Sequence, residues 1–148
     1  MTTYREVMRP AFWLYIAAIL IIPAIILVLA PINMLFGIIL SIVTYAAIVV
    51  LMIVKSPSIE LSDTTLRVGK AQISRLELGA ASAFSGSHAA EQRGTKLDGR
   101  AWLMFTGWVD PVVRIDINDP LDPVPYWLIS TRHPEQFVAA LRARNSTF

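Results

Sequence analysis

Hydrophobic and polar positions divide this chain into two unlike parts. From Ala11 to Val54 there is no Asp, Glu, Lys or Arg, and the apolar run is interrupted only at Pro31-Ile32-Asn33. These forty-four residues are too many for one helix and enough for two. About 20 residues, rising about 1.5 Å each, cross a hydrocarbon core about 30 Å thick. The pattern predicts transmembrane helices at 11–30 and 34–54, paired as a membrane α-helical hairpin, with residues 1–10 as a cytoplasmic N-terminal segment. A cleaved signal peptide fits less well, because the stretch exceeds an ordinary signal core and a second apolar stretch follows at once.

Three details refine that segment. Arg5 and Arg9 precede it, Lys55 follows it, and Pro31-Ile32-Asn33 carries no charge. The positive-inside rule then predicts a multi-pass protein of the plasma (inner) membrane with both termini cytoplasmic. Phe12, Trp13 and Tyr15 stand where interfacial aromatic anchors belong. Pro23 should kink the first helix. Gly37, Ser41 and Thr44 form a small-residue face suited to close helix packing, either on the first helix or on another protein. The segment holds no ionisable group of the kind that marks a transport pathway.

From Lys55 onward the period changes. Ile59-Glu60-Leu61 and Thr65-Leu66-Arg67-Val68 alternate about Ser62-Asp63-Thr64, as hairpin strands do. Further strands are predicted at 71–73, 76–78, 101–105, 112–117 and 126–130. Val113, Ile115 and Ile117 alternate with Arg114 and Asp116, so one face of that strand is buried. Residues 85–100 are polar and glycine-bearing and predict a long loop. Pro134 opens a closing helix over 134–144, with Glu135 in its first turn and Arg142 and Arg144 in its last, an order that suits the helix dipole. Phe137, Val138 and Leu141 form its apolar stripe. The expected fold class is therefore a transmembrane hairpin plus a small α+β domain at 55–148. That domain would be an antiparallel β barrel or sheet closed by a C-terminal helix, resembling the pleckstrin-homology (PH) type.

Composition excludes more than it identifies. The chain has no cysteine, so disulfides, thiolate metal sites and thiol nucleophiles are ruled out. Residues 55–148 hold eleven Lys and Arg against ten Asp and Glu, with the signs interspersed. No basic stripe exists to follow a phosphate backbone, and nucleic acid is not an expected partner.

Candidate chemistry is sparse. Asp116, Asn118, Asp119 and Asp122 crowd together, but Pro120 and Leu121 interrupt the calcium-loop pattern where a ligand and a glycine belong. Turn formation explains those aspartates better. His88 and His133 stand far apart and accompany no nucleophile motif, and Gly94-Thr95-Lys96 lacks the upstream glycines of a phosphate loop. Neither catalysis nor a cofactor, metal or small-molecule substrate is expected. Tyr126 and Trp127, neighbours in a strand, should point to opposite faces. With Arg100, Arg114 and Arg132 they form the candidate surface for a lipid headgroup or a partner. Ser130-Thr131-Arg132 reads as the strand end and helix cap.

The C-terminal motif adds a resemblance. Val112 to Pro120, followed by Asp122-Pro123-Val124-Pro125-Tyr126-Trp127-Leu128-Ile129-Ser130-Thr131-Arg132-His133-Pro134-Glu135, resembles an actinobacterial membrane family. It is designated domain of unknown function number three thousand and ninety-three. Asp98-Gly99-Arg100-Ala101-Trp102 and Gly107-Trp108-Val109 are weaker matches. The resemblance implies two N-terminal membrane helices and a closing helix, and it supplies no activity. The expected function is a non-catalytic accessory or scaffold subunit packed against a larger membrane protein complex, an actinobacterial respiratory-chain supercomplex being one host by analogy. The alternative is a membrane-anchored sensor of lipid headgroups or peptides.

Overall fold

The computed structural model describes residues 2–143. In chain order the elements are β1 (Thr2–Val7), α1 (Phe12–Ile19), α2 (Ile21–Val54), β2 (Ser58–Ser62), β3 (Thr65–Val68) and β4 (Ala71–Ser74). A 3-10 turn (Arg75–Glu77) leads to β5 (Leu78–Phe84), α3 (Gly86–Arg93), β6 (Trp102–Met104), β7 (Val112–Ile117), β8 (Tyr126–Ser130) and α4 (Pro134–Arg142). They divide into an apolar unit, residues 9–56, and a soluble unit built from the residues up to Met8 together with those from Pro57 onward.

The apolar unit corrects the expected hairpin of two separately bounded helices. Helical structure runs from Phe12 to Val54 as one candidate membrane span of 43 residues. It continues through Pro31 and Ile32, where a loop was expected. Two local breaks interrupt it. Leu20 separates α1 from α2, one turn before Pro23, where the proline ring meets the preceding carbonyls. At Asn33, two residues after Pro31, the backbone leaves helical geometry for φ −160°, ψ 105°. The Asn33 side chain then accepts the N–H of Phe36 at 3.1 Å and caps the turn that follows.

In the soluble unit the strands form two separate four-stranded sheets, β1-β2-β3-β4 and β5-β7-β8-β6. No closed PH-like barrel is present among the described residues, which corrects the second half of the expected fold class. The alternation explains the packing. Ile59 and Leu61 are buried on either side of the partly exposed Glu60, and Leu66 and Val68 flank the exposed Arg67. Those four join Val113, Ile115, Trp127 and Ile129 of the second sheet in one core. Helix α4 closes it with Phe137, Val138 and Leu141, the stripe expected from the sequence. Gly69 sits at φ +58° in the β3–β4 turn, a left-handed conformation that side chains resist. Arg144, assigned to the closing helix, lies outside the described residues.

Two further expectations change. Residues 2–7, for which no strand was expected, form β1, an edge strand on β2; Tyr4, Glu6 and Met8 turn inward and Met8 is fully buried. Residues 86–93 form α3 instead of loop. Ala89 has no bulk to hold the helix away from the second sheet, so it packs with Val112, Tyr126 and Leu128. Asp110 secures both ends of α3, accepting the Gly86 N–H at 2.9 Å and pairing with Arg93 at 2.7 Å.

Candidate functional site

The densest polar cluster surrounds Glu6, whose position in β1 turns it into the molecule. Its side chain is 8% exposed. One carboxylate oxygen accepts the Tyr4 hydroxyl at 2.7 Å and the buried Thr131 hydroxyl. The other accepts the Arg132 N–H at 2.9 Å and lies 3.5 Å from His133 Nδ1. Thr131 in turn accepts the His133 N–H at 3.2 Å. The carboxylate thus sits just before the start of α4, where it satisfies the Arg132 N–H and lies near the positive end of the helix dipole. Tyr4 also stacks on Phe137 of α4, with ring centroids 5.3 Å apart. Burial, and then the bond to Glu6, push the Tyr4 hydroxyl well above its ordinary pKa. The cluster joins the first strand to the last helix and positions backbone.

The candidate surface residues fall into three places. Arg114 lies over the Tyr126 ring at 3.9 Å. The Tyr126 hydroxyl accepts the Asp98 N–H at 2.8 Å, and Asp98 pairs with Arg100 at 3.2 Å, so these three share one face. Their guanidinium groups already have partners there, Asp98 for Arg100 and Asp116 for Arg114 at 3.1 Å. Arg100 holds the Asp98 carboxyl below the usual carboxylate range, by its side chain and then by its backbone N–H. Trp127 points to the opposite face and packs against Trp102 with centroids 4.4 Å apart. Neither Tyr126 nor Trp127 is exposed, because α3 covers the face that would have held the free ring. Arg132 stands at the third place, beside Glu6.

In the apolar unit, Gly37 and Ser41 are the buried residues of α2, and Thr44 is half-buried. A Cβ on Gly37 would lie 3.1 Å from Leu29 Cβ and 3.6 Å from Ile26 Cα, so this face meets the chain's own residues. The Ser41 hydroxyl donates to the Ile38 carbonyl at 2.8 Å. Large apolar side chains such as Leu27, Ile32, Leu35 and Val54 stay exposed.

A last feature lies where the 3-10 turn meets the β7–β8 loop. The Asn118 N–H donates to the Glu77 carbonyl at 2.7 Å and ties the two together. Asp119 and Asp122 accept the N–H groups of Leu121 and Val124, each at 2.9 Å, forming the turns expected of them. Beside them is a cavity of about 120 Å³ between β5 and α4, lined by residues including Leu78, Ala81, Ile115 and Leu141. Its two arginines face carbonyls: Arg75 reaches Ser62, Ala140 and Leu141, and Arg142 reaches Ala81.

Sequence reasoning missed Glu6, His133 as its neighbour, Leu76 and Leu121. Glu6 had a readable signal, because Tyr4, Glu6 and Met8 alternate with Arg5 and Val7 in a stretch of strand-forming residues. The proximity of Glu6 to residues 125 to 127 positions later had none.

A family model described as Protein of unknown function (DUF3093) matches residues 3–141. No curated protein and no solved structure matches the chain.

Proposed function

We propose that this chain, which belongs to that family of unknown function, is a membrane-bound, non-catalytic accessory or scaffold subunit that packs against a larger membrane protein assembly. The observation that carries the reading is that one folded unit is built from the chain on both sides of the apolar segment. β1 and β2 pair from Thr2↔Ser62 to Val7↔Ser58, and the Met8 N–H donates to the Pro57 carbonyl at 2.9 Å. The segment between leaves and rejoins a single folded sheet. In a bilayer its two ends would therefore lie on the same side. Arg9 and Lys55 at those ends favour the cytoplasmic face of the plasma membrane. The apolar side chains left uncovered, among them Leu27, Leu35 and Val54, would meet lipid or the membrane helices of a partner.

The test is isolation of the tagged full chain from its native membrane in gentle detergent, with mass spectrometry of what accompanies it. One larger membrane complex at fixed stoichiometry is the expected result; recovery of this chain by itself would overturn the proposal. The same preparation tests topology. With no native cysteine, Thr3→Cys and Ser87→Cys can each be labelled singly in sealed membranes. Both should react from one side.

A further inference from the structure

Leu76 and Leu121 are 92% and 91% exposed, far more than any other large apolar side chain of the soluble unit among the described residues. They stand on neighbouring turns joined by the Asn118–Glu77 backbone bond. The Ser74 hydroxyl accepts the Leu76 N–H at 3.3 Å, and the Asp119 carboxylate accepts that of Leu121 at 2.9 Å, so the backbone at each leucine belongs to a hydrogen-bonded turn. The site is at the end of the first sheet marked by Ser62, Thr65 and Ser74, opposite the end where Val7 and Ser58 lead into the apolar segment.

We infer that this end of the soluble unit is a docking surface for a basic amphipathic segment of a partner protein. The inference rests on the accessory-subunit reading and names the surface through which the soluble unit would take part. Charge chooses the occupant. Glu77, Asp119 and Asp122 lie next to the leucines along the chain, and among the described residues none of the three is in an ion pair, whereas the cations nearby, Arg75 and Arg142, turn inward to backbone carbonyls. A bilayer carrying anionic lipid would repel that rim, whereas lysines and arginines on a partner would meet it. The partner's apolar side chains would cover Leu76 and Leu121. Exposed leucines in a small soluble unit carry a solvation cost that such a contact removes.

The experiment uses the full chain in nanodiscs of neutral phosphatidylcholine. The probe is a synthetic amphipathic peptide of leucine and lysine, compared with a leucine–glutamate peptide and with empty nanodiscs. The leucine–lysine peptide should bind and the leucine–glutamate peptide should not. Leu76→Ser with Leu121→Ser should weaken binding at least about tenfold. Glu77→Gln with Asp119→Asn and Asp122→Asn should weaken it and flatten its salt dependence, while keeping the side-chain carbonyls that hold the turns. Equal binding to wild type and to the double serine variant would overturn the surface. So would a double serine variant that binds anionic vesicles less well than wild type but the peptide equally, which would assign the leucines to lipid. Dimers of the chain that the serine variant abolishes would overturn it in favour of a second copy. Recovery of the native complex at wild-type yield with the serine variant would overturn this surface and leave the accessory reading standing. Peptide binding lost on serine substitution, without any native complex, would do the reverse.

Discussion

At the residue scale, Glu6 carries the largest expected single effect. Glu6→Ala would strand the Tyr4 and Thr131 hydroxyls and the Arg132 N–H without their buried acceptor. The expected loss is about 3 kcal/mol of stability, measurable by thermal or urea unfolding in mild detergent. Glu6→Gln keeps the shape, loses the charge assistance and should fall between. Tyr4 sets an alkaline limit. Its pKa is raised in the folded state from an ordinary 10.0, first by burial and then by Glu6. The folded state then holds that proton more tightly than the unfolded state does. The associated stability is complete below about pH 10 and declines as pH rises above it. Tyr4→Phe should show a flatter stability profile above pH 10 than wild type, while losing about 1 kcal/mol at neutral pH with the Glu6 hydrogen bond. On the acid side, Arg93 and the Gly86 N–H hold the Asp110 carboxyl low. Its contribution is present above the ordinary carboxylate range and fades as pH falls through the lowered value, so Asp110→Asn should blunt the acid limb.

At the element scale, close packing in the apolar unit depends on Gly37. Alanine there would press on Leu29 at 3.1 Å and should cost little if Leu29 shifts; leucine has no room. Gly37→Leu should lower the thermal midpoint of the full chain in detergent, and Gly37→Ala much less. This substitution reads the chain's own packing before it reads any partner. In the second sheet, Trp127 is 6% exposed and packs on Trp102. Trp127→Ala should cost about 3–5 kcal/mol. Element type was legible wherever one face alternates with the other: β2, β3, β7 and α4 follow directly from Ile59-Glu60-Leu61, Leu66-Arg67-Val68, Val113-Arg114-Ile115 and Phe137-Val138-Leu141. Helix α3 was not, because its buried face consists of Ala89 and Gln92, and neither looks apolar enough to announce a core position. The interruption read at Pro31-Ile32-Asn33 holds the break at Asn33, whereas the bend expected from Pro23 falls earlier. That bend is at Leu20, three residues before the proline.

At the scale of the whole molecule, the N-terminal strand and the part beyond Pro57 are one folding unit. A fragment of residues 57–148 lacks Tyr4, Glu6 and Met8 and would expose the edge of β2 that β1 covers. It should be unfolded or aggregated, whereas the full chain in detergent should give a cooperative transition. The sequence by itself determined the long uncharged apolar segment, the change to alternating strands after it, and the closing helix. Each of these is a local pattern, set by side-chain period and by the cost of placing charge among apolar groups. Only the tertiary structure decided that β1 completes the first sheet and that Glu6 meets Thr131, Arg132 and His133. It also decided that Tyr126 and Trp127 are both covered, and that Leu76 and Leu121 stand outward on adjoining turns. Those outcomes depend on which strands pair and which turns adjoin across more than a hundred residues in the case of Glu6. They are set by the joint packing of two sheets and a helix, and no window of the sequence contains them.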